Sequence, residues 1–228
     1  MGLEKQIRIA YDEWNLRAWY HPGVHDTRPE PDREKFLPPR DLCDDNSTYT
    51  MADAVFSACF LNMVLRNADI VGMANFSPVV NTRGAIFTHP GGIVKRSTYY
   101  VFDLYTNLMG DEVIDLWAQD VPRYLAKGER GEREVDCVDA VATRRSTDGK
   151  IVLALVNKHA EEAQTVQLQL DSSCEITVHT LCGQDINDYN DIDRETVIPF
   201  INDRAMEKRE NGEVFVKLPA HSVNIVVI

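Results

Sequence analysis

Basic charge, long apolar runs and paired cysteine are all scarce in this chain of 228 residues. Lysine and arginine total 24 against 36 aspartates and glutamates, a net charge of -12. A partner rich in phosphate needs a basic footprint, so nucleic acid and an anionic membrane surface are excluded as partners. No apolar run approaches the roughly 20 residues that span a bilayer. The opening Met1-Gly2-Leu3-Glu4-Lys5 carries no apolar signal region, and a cytoplasmic location is the expectation. The five cysteines, Cys43, Cys59, Cys137, Cys174 and Cys182, are odd in number and share no C-x-x-C spacing. That argues against a disulfide framework or zinc site and for reduced thiols.

Metal-binding patterns are also lacking. His21 and His25 are four apart, but Pro22 and Gly23 prevent the helix that would align them. Asp185, Asp188, Asp191 and Asp193 lack the ordered calcium loop with its terminal glutamate. Gly91-Gly92 precedes a helical pattern without the rest of a phosphate loop and reads as a turn. Neither metal nor cofactor is expected.

What is present begins at residue 7. Ile7-Arg8-Ile9-Ala10-Tyr11 reads as a buried strand that ends on Asp12-Glu13-Trp14-Asn15. Barrel enzymes deliver catalytic acids in this way, at the carboxyl end of a strand. An aromatic beside a carboxylate also suits a sugar, whose ring face stacks while its hydroxyls need polar partners. Strict alternation along a strand would send Asp12 and Glu13 to opposite faces, leaving one for chemistry and one for support. Two ordinary loop acids would give the same spacing.

A connection rich in proline and charge follows, from Trp19 to Asp45. Ala52, Val55, Phe56, Cys59, Phe60, Met63 and Val64 then recur at helical spacing, with Ser47, Thr48 and Thr50 as candidate caps. Residues 69–76 read as a second buried strand, and 94–109 as a helix closed by Gly110. This is α/β grammar with a parallel sheet. Beyond Glu112 the pattern changes to short strands at 135–143, 151–157, 165–170, 176–181, 214–218 and 222–228. Asp148-Gly149 and Asn211-Gly212 supply hairpin turns. The expected fold is α/β plus all-β, with an antiparallel β-sandwich after a boundary near Gly110.

Asp12-Glu13-Trp14-Asn15, followed by Trp19-Tyr20-His21, resembles the nucleophile region of glycoside hydrolase family 51, the retaining α-L-arabinofuranosidases. The resemblance continues through Asn75-Phe76-Ser77-Pro78-Val79-Val80-Asn81, similar to the end of that family's eighth barrel strand. Thr98-Tyr99-Tyr100-Val101-Phe102-Asp103-Leu104-Tyr105 is similar to its last barrel helix, and Leu218-Pro219-Ala220-His221-Ser222-Val223 to its final sandwich strand.

The resemblance implies that residues 1–110 are the carboxy-terminal part of an incomplete (β/α)8 TIM barrel, and 111–228 the antiparallel β-sandwich domain. It implies Glu13 as nucleophile, with Asp12, Trp14 and Asn15 as structural support and Trp19 and Asn75 as sugar contacts. It further implies an arabinofuranosyl oligosaccharide or polysaccharide as substrate, a place in L-arabinose metabolism, and leaves a homo-oligomer of the full-length protein possible.

The family's acid/base lies in an Asn-Glu pair on an upstream strand, and no such pair occurs here. Pro78 stands where many members carry a sugar-binding glutamine, and Leu16-Arg17-Ala18 lengthens the loop before Trp19. The expectation is therefore a fragment that carries a nucleophile without its acid partner and is inactive alone. Its helix faces and strand edge should be uncovered, making it poorly soluble or oligomeric. An inert carbohydrate-binding or assembly module, or a related retaining glycosidase of other specificity, are the competing readings.

Overall fold

The computed structural model describes residues 7–16, 45–128, 131–170, 175–209 and 211–228. Four layers stack on one another. The outermost is a two-stranded parallel pair, β1 (Ile9–Trp14) with β2 (Val71–Phe76). Between them in sequence lies α1 (Met51–Arg66), and α2 (Ser97–Leu108) comes later. A parallel pair cannot be closed by a tight turn, and here α1 lies in the crossover between its strands.

Thr50 caps α1. The Asp53 carboxylate accepts the Thr50 backbone N–H at 2.9 Å, satisfying a donor at the helix start. α1 is apolar on two sides. Met51, Ala54, Val55 and Ala58 are buried against a sheet, while Phe60 meets Tyr11 and Trp14 of β1. A helix that is hydrophobic around most of its girth belongs between layers.

The third layer is a six-stranded antiparallel sheet. Its spatial order is β12 (Phe200–Ile201), β11 (Thr177–Leu181), β15 (Ser222–Val227), β9 (Ile151–Asn157), β8 (Val138–Arg144) and β5 (Glu112–Ile114). Alternation along β9 and β15 divides their side chains between two cores. Val152, Ala154, Val156, Val223 and Ile225 face the helices, packing on Val101, Leu104 and Tyr105 of α2. Leu153, Leu155 and Val226 face the fourth layer, where they meet Val216, Leu218 and Ala205. That layer is a three-stranded sheet of β10 (Gln164–Leu168), β14 (Val214–Leu218) and β13 (Met206–Lys208).

Two hairpins stand apart, β3 (Ile86–His89) with β4 (Gly92–Lys95), and β6 (Arg123–Gly128) with β7 (Gly131–Asp136). The described chain is therefore mostly sheet with two helices, and its antiparallel sandwich is as expected. The six-stranded sheet covers the sides of both helices turned away from β1 and β2, while Phe60 and Phe102 face Trp14 of β1.

The closure expected of Gly110 has a different cause. α2 ends at Leu108 with an extended Met109 as its cap. Gly110 lies beyond, and a Cβ there would strike the Arg144 backbone. Asp148-Gly149 and Asn211-Gly212 do turn β8 into β9 and β13 into β14, with φ of 75° and 86° at their glycines.

Candidate functional site

The carboxyl ends of β1 and β2 lie side by side, with Trp14 paired to Phe76. Tyr11 is paired with Ala74, so β1 spends one more residue than β2 over this interval. The result is a β-bulge at Asp12-Glu13, set against Asn75 alone. Tyr11 and Trp14 are three apart, yet both reach Phe60, at ring separations of 5.5 and 4.1 Å. Strict alternation, which would have put the two acids on opposite faces, is thus broken at the acids themselves. Asp12, Glu13 and Asn75 are all exposed.

Trp14 is not a sugar platform. It is 7% exposed, stacked on Phe60, with Phe76 and Phe102 at 5.1 and 5.9 Å. Its burial anchors the strand end to the helices, leaving the acids beside it in solvent.

Two polar residues fix the geometry around Glu13. The Ser77 hydroxyl donates to Glu13 Oε1 at 3.1 Å. Asn15 Nδ2 donates to the carbonyls of Ser77 at 3.2 Å and Arg83 at 3.1 Å, and the Ser77 N–H donates to the Trp14 carbonyl. Asn15 therefore sews the end of β1 to the loop after β2. Ser77 has no pattern of its own within the motif of residues 75–81; its place one residue past Phe76, at the end of β2, is the available signal for this role. Pro78, half-buried, follows directly. Trp19, His21 and His25 lie outside the described residues.

The aspartate cluster of 185–193 shapes turns. Asp188 accepts from the Gln184 and Asp185 backbone and from Arg194, Asp185 accepts from Asn187, and Asp191 accepts from Asn46. Among the described residues no group of three or more His, Cys, Asp or Glu is placed to hold a metal. No described helix is long and apolar enough to cross a membrane.

Residues 12–222 match the family described as the α-L-arabinofuranosidase C-terminal domain. The chain belongs to that family. It is 29% identical over 221 residues to an exo-α-(1→6)-L-arabinofuranosidase of Bifidobacterium longum, covering 93% of this chain and 40% of that protein. An intracellular exo-α-L-arabinofuranosidase of Bacteroides ovatus is 28% identical over 229 residues, with 96% and 39% covered. The family 51 arabinofuranosidase of Xanthomonas axonopodis pv. citri superposes with a TM-score of 0.74 at 25% identity, covering 99% of this chain and 42% of that one. The Thermotoga maritima enzyme, solved with arabinose, shares the fold with a TM-score of 0.75 at 23% identity. The chain thus corresponds to the carboxy-terminal portion of a family 51 arabinofuranosidase, and spans about 40% of the length of the curated relative from B. longum.

Proposed function

We propose that residues 1–228 carry the nucleophile half of a retaining α-L-arabinofuranosidase site, with Glu13 as that nucleophile. The observation that carries the reading is the exposed Glu13 carboxylate, held by Ser77 at the carboxyl end of a parallel strand pair. On this reading residues 1–110 are the last two β/α units of a TIM barrel and 111–228 its sandwich domain. The substrate is an arabinofuranosyl-containing glycan, as the names of the relatives suggest.

Glu13 attacks the anomeric carbon from one face as the leaving oxygen departs from the other. The bond formed is a glycosyl ester to the carboxylate. Water then attacks that carbon, releases arabinose with retained configuration and returns the carboxylate. Both steps need a second carboxyl about 5–5.5 Å away, first as acid and then as base. Asp12 sits next to Glu13 on the same bulge and has the wrong placement to face it across a sugar. With no Asn-Glu pair in the sequence, the acid comes from chain outside these residues. Asn75, exposed opposite the bulge, is the candidate polar contact to the sugar, and Trp19 is the candidate stacking residue.

Purified residues 1–228 are expected to leave an aryl α-L-arabinofuranoside intact, while a longer polypeptide that adds the acid turns it over. Turnover by residues 1–228 alone, lost on Glu13→Ala, would show the site to be complete without a second acid. Turnover by the longer polypeptide that survives Glu13→Ala would remove the nucleophile assignment.

A further inference from the structure

Arg96 is fully buried and immediately precedes α2. Its guanidinium lies 3.7 Å over the Tyr49 ring and 5.1 Å from Phe87, and its Nε donates to Asn46 at 2.8 Å. Arg96 Nη1 donates to two carbonyls of one loop, Thr82 at 2.7 Å and Gly84 at 2.9 Å. The Tyr49 hydroxyl donates to the same Thr82 carbonyl at 3.0 Å. Asn15 holds the Arg83 carbonyl between them. Three successive carbonyls, 82 to 84, are thus gripped by three side chains from different parts of the chain.

The gripped loop is strained. Asn81 and Thr82 have φ of 59° and 48°, and a β-branched residue in this region is uncommon. Such conformations persist where the surroundings over-determine them, and they concentrate at functional sites. Within the loop Asn81 N–H bonds Ile86 at 2.7 Å and Gly84 N–H bonds Asn81 at 2.7 Å. The loop begins at Ser77, whose hydroxyl holds Glu13. A buried planar guanidinium that donates to two carbonyls and stacks on aromatics is pre-organised for such a task.

We infer that Arg96, assisted by Tyr49, is a positioning residue for the Glu13 site, fixing the loop of residues 77–84 so that Ser77 presents and orients the nucleophile. This rests on the reading of Glu13 as nucleophile; the clamp itself does not.

Two measurements separate those levels. The first is hydrogen exchange on residues 1–228 with Tyr49→Phe and Arg96→Lys. The amides of Asn81, Gly84 and Ile86 should exchange at least tenfold faster, with those of Asn224 and Ile225 in β15 unchanged. Unchanged loop amides overturn the clamp. Tyr49→Phe keeps the ring under Arg96 and serves if Arg96→Lys does not fold.

The second measurement uses the longer polypeptide bearing both carboxylates. There Tyr49→Phe should lower kcat roughly fivefold, with KM little changed, from loss of one neutral hydrogen bond. Arg96→Lys should lower kcat about a hundredfold, the scale of a 1 Å misplacement. In a Ser77→Ala background Tyr49→Phe should have no further effect, because residues acting through one contact are not additive. Full additivity overturns positioning through Ser77. Turnover that survives Glu13→Ala overturns the nucleophile reading, and the positioning role with it, while leaving the exchange result standing.

Discussion

Leu104→Ala probes whether the helices and the sandwich form one cooperative unit. Leu104 is 4% exposed on α2 and packs in the cluster that joins Val101 and Tyr105 to Val223 and Ile225 of β15. Truncating such a leucine removes apolar contact and leaves a cavity between two layers that cannot easily close, because both are fixed by other contacts. The cost should be about 2–5 kcal/mol. At about 2–4 °C per kcal/mol for a chain of this size, a loss near 3 kcal/mol lowers Tm by about 6–12 °C. Calorimetry should record a single transition moved down by that amount. Hydrogen exchange should show the β9 and β15 amides losing protection together with those of α2. A shifted helix transition beside an unshifted sheet transition would refute the reasoning and make residues 1–110 a separate cooperative unit.

Other outcomes follow from single sites. Gly84→Ala should cost about 1–3 kcal/mol by overpacking. Its Cβ would lie 2.5 Å from the Val79 carbonyl oxygen and 2.7 Å from the Val80 nitrogen, both backbone; an unchanged Tm contradicts this. Cys59, pushed up to about 12 by burial and by the nearby Asp139 charge, should resist iodoacetamide at pH 8 until denaturant is added. Native labelling of Cys59 as fast as that of a small thiol would contradict the burial. The Asp111 carboxyl is held below its ordinary value by the Ser146 hydroxyl and backbone N–H. Its contribution to stability is complete above the ordinary carboxylate pKa and lost as pH falls through the depressed one. Ser146→Ala should move the Asp111 midpoint upward in an NMR titration, and an unmoved midpoint would refute the assigned cause.

The elements readable in the sequence were those whose side chains obey one period. α1 showed its apolar repeat from Ala52 to Val64, and β9 showed a continuous apolar run because both faces of the six-stranded sheet are covered, while β15 is apolar except at Ser222 and Asn224. The hairpin of β6 and β7 was half hidden, β7 merging into the run of 135–143. Its ladder is largely charged, with Arg123 bonded to Asp136 and Lys127 to Glu132, and the consecutive Tyr124-Leu125-Ala126 gives β6 no apolar alternation in sequence although its burial alternates. Gly91-Gly92 read as a turn, but the short strands on either side of it, β3 and β4, carry no legible repeat.

At the candidate site, Asp12-Glu13 and Ser77 lay in motifs that were recognisable. The bulge was not, because alternation arguments assume a regular pleat and the extra residue is set by pairing with β2, sixty residues away. Arg96 was equally invisible. A single arginine before a helix has no pattern, and its meaning comes from carbonyls that only the folded loop brings together.

The identity of the nucleophile is tested most directly by Glu13→Ala in the polypeptide that supplies both carboxylates, assayed with an aryl α-L-arabinofuranoside and azide. The account predicts loss of hydrolysis without azide. With azide it predicts partial recovery and a glycosyl azide of inverted configuration by NMR, since the small anion takes the place of the missing carboxylate. Near-normal hydrolysis by Glu13→Ala without azide, or a retained azide product, would contradict it.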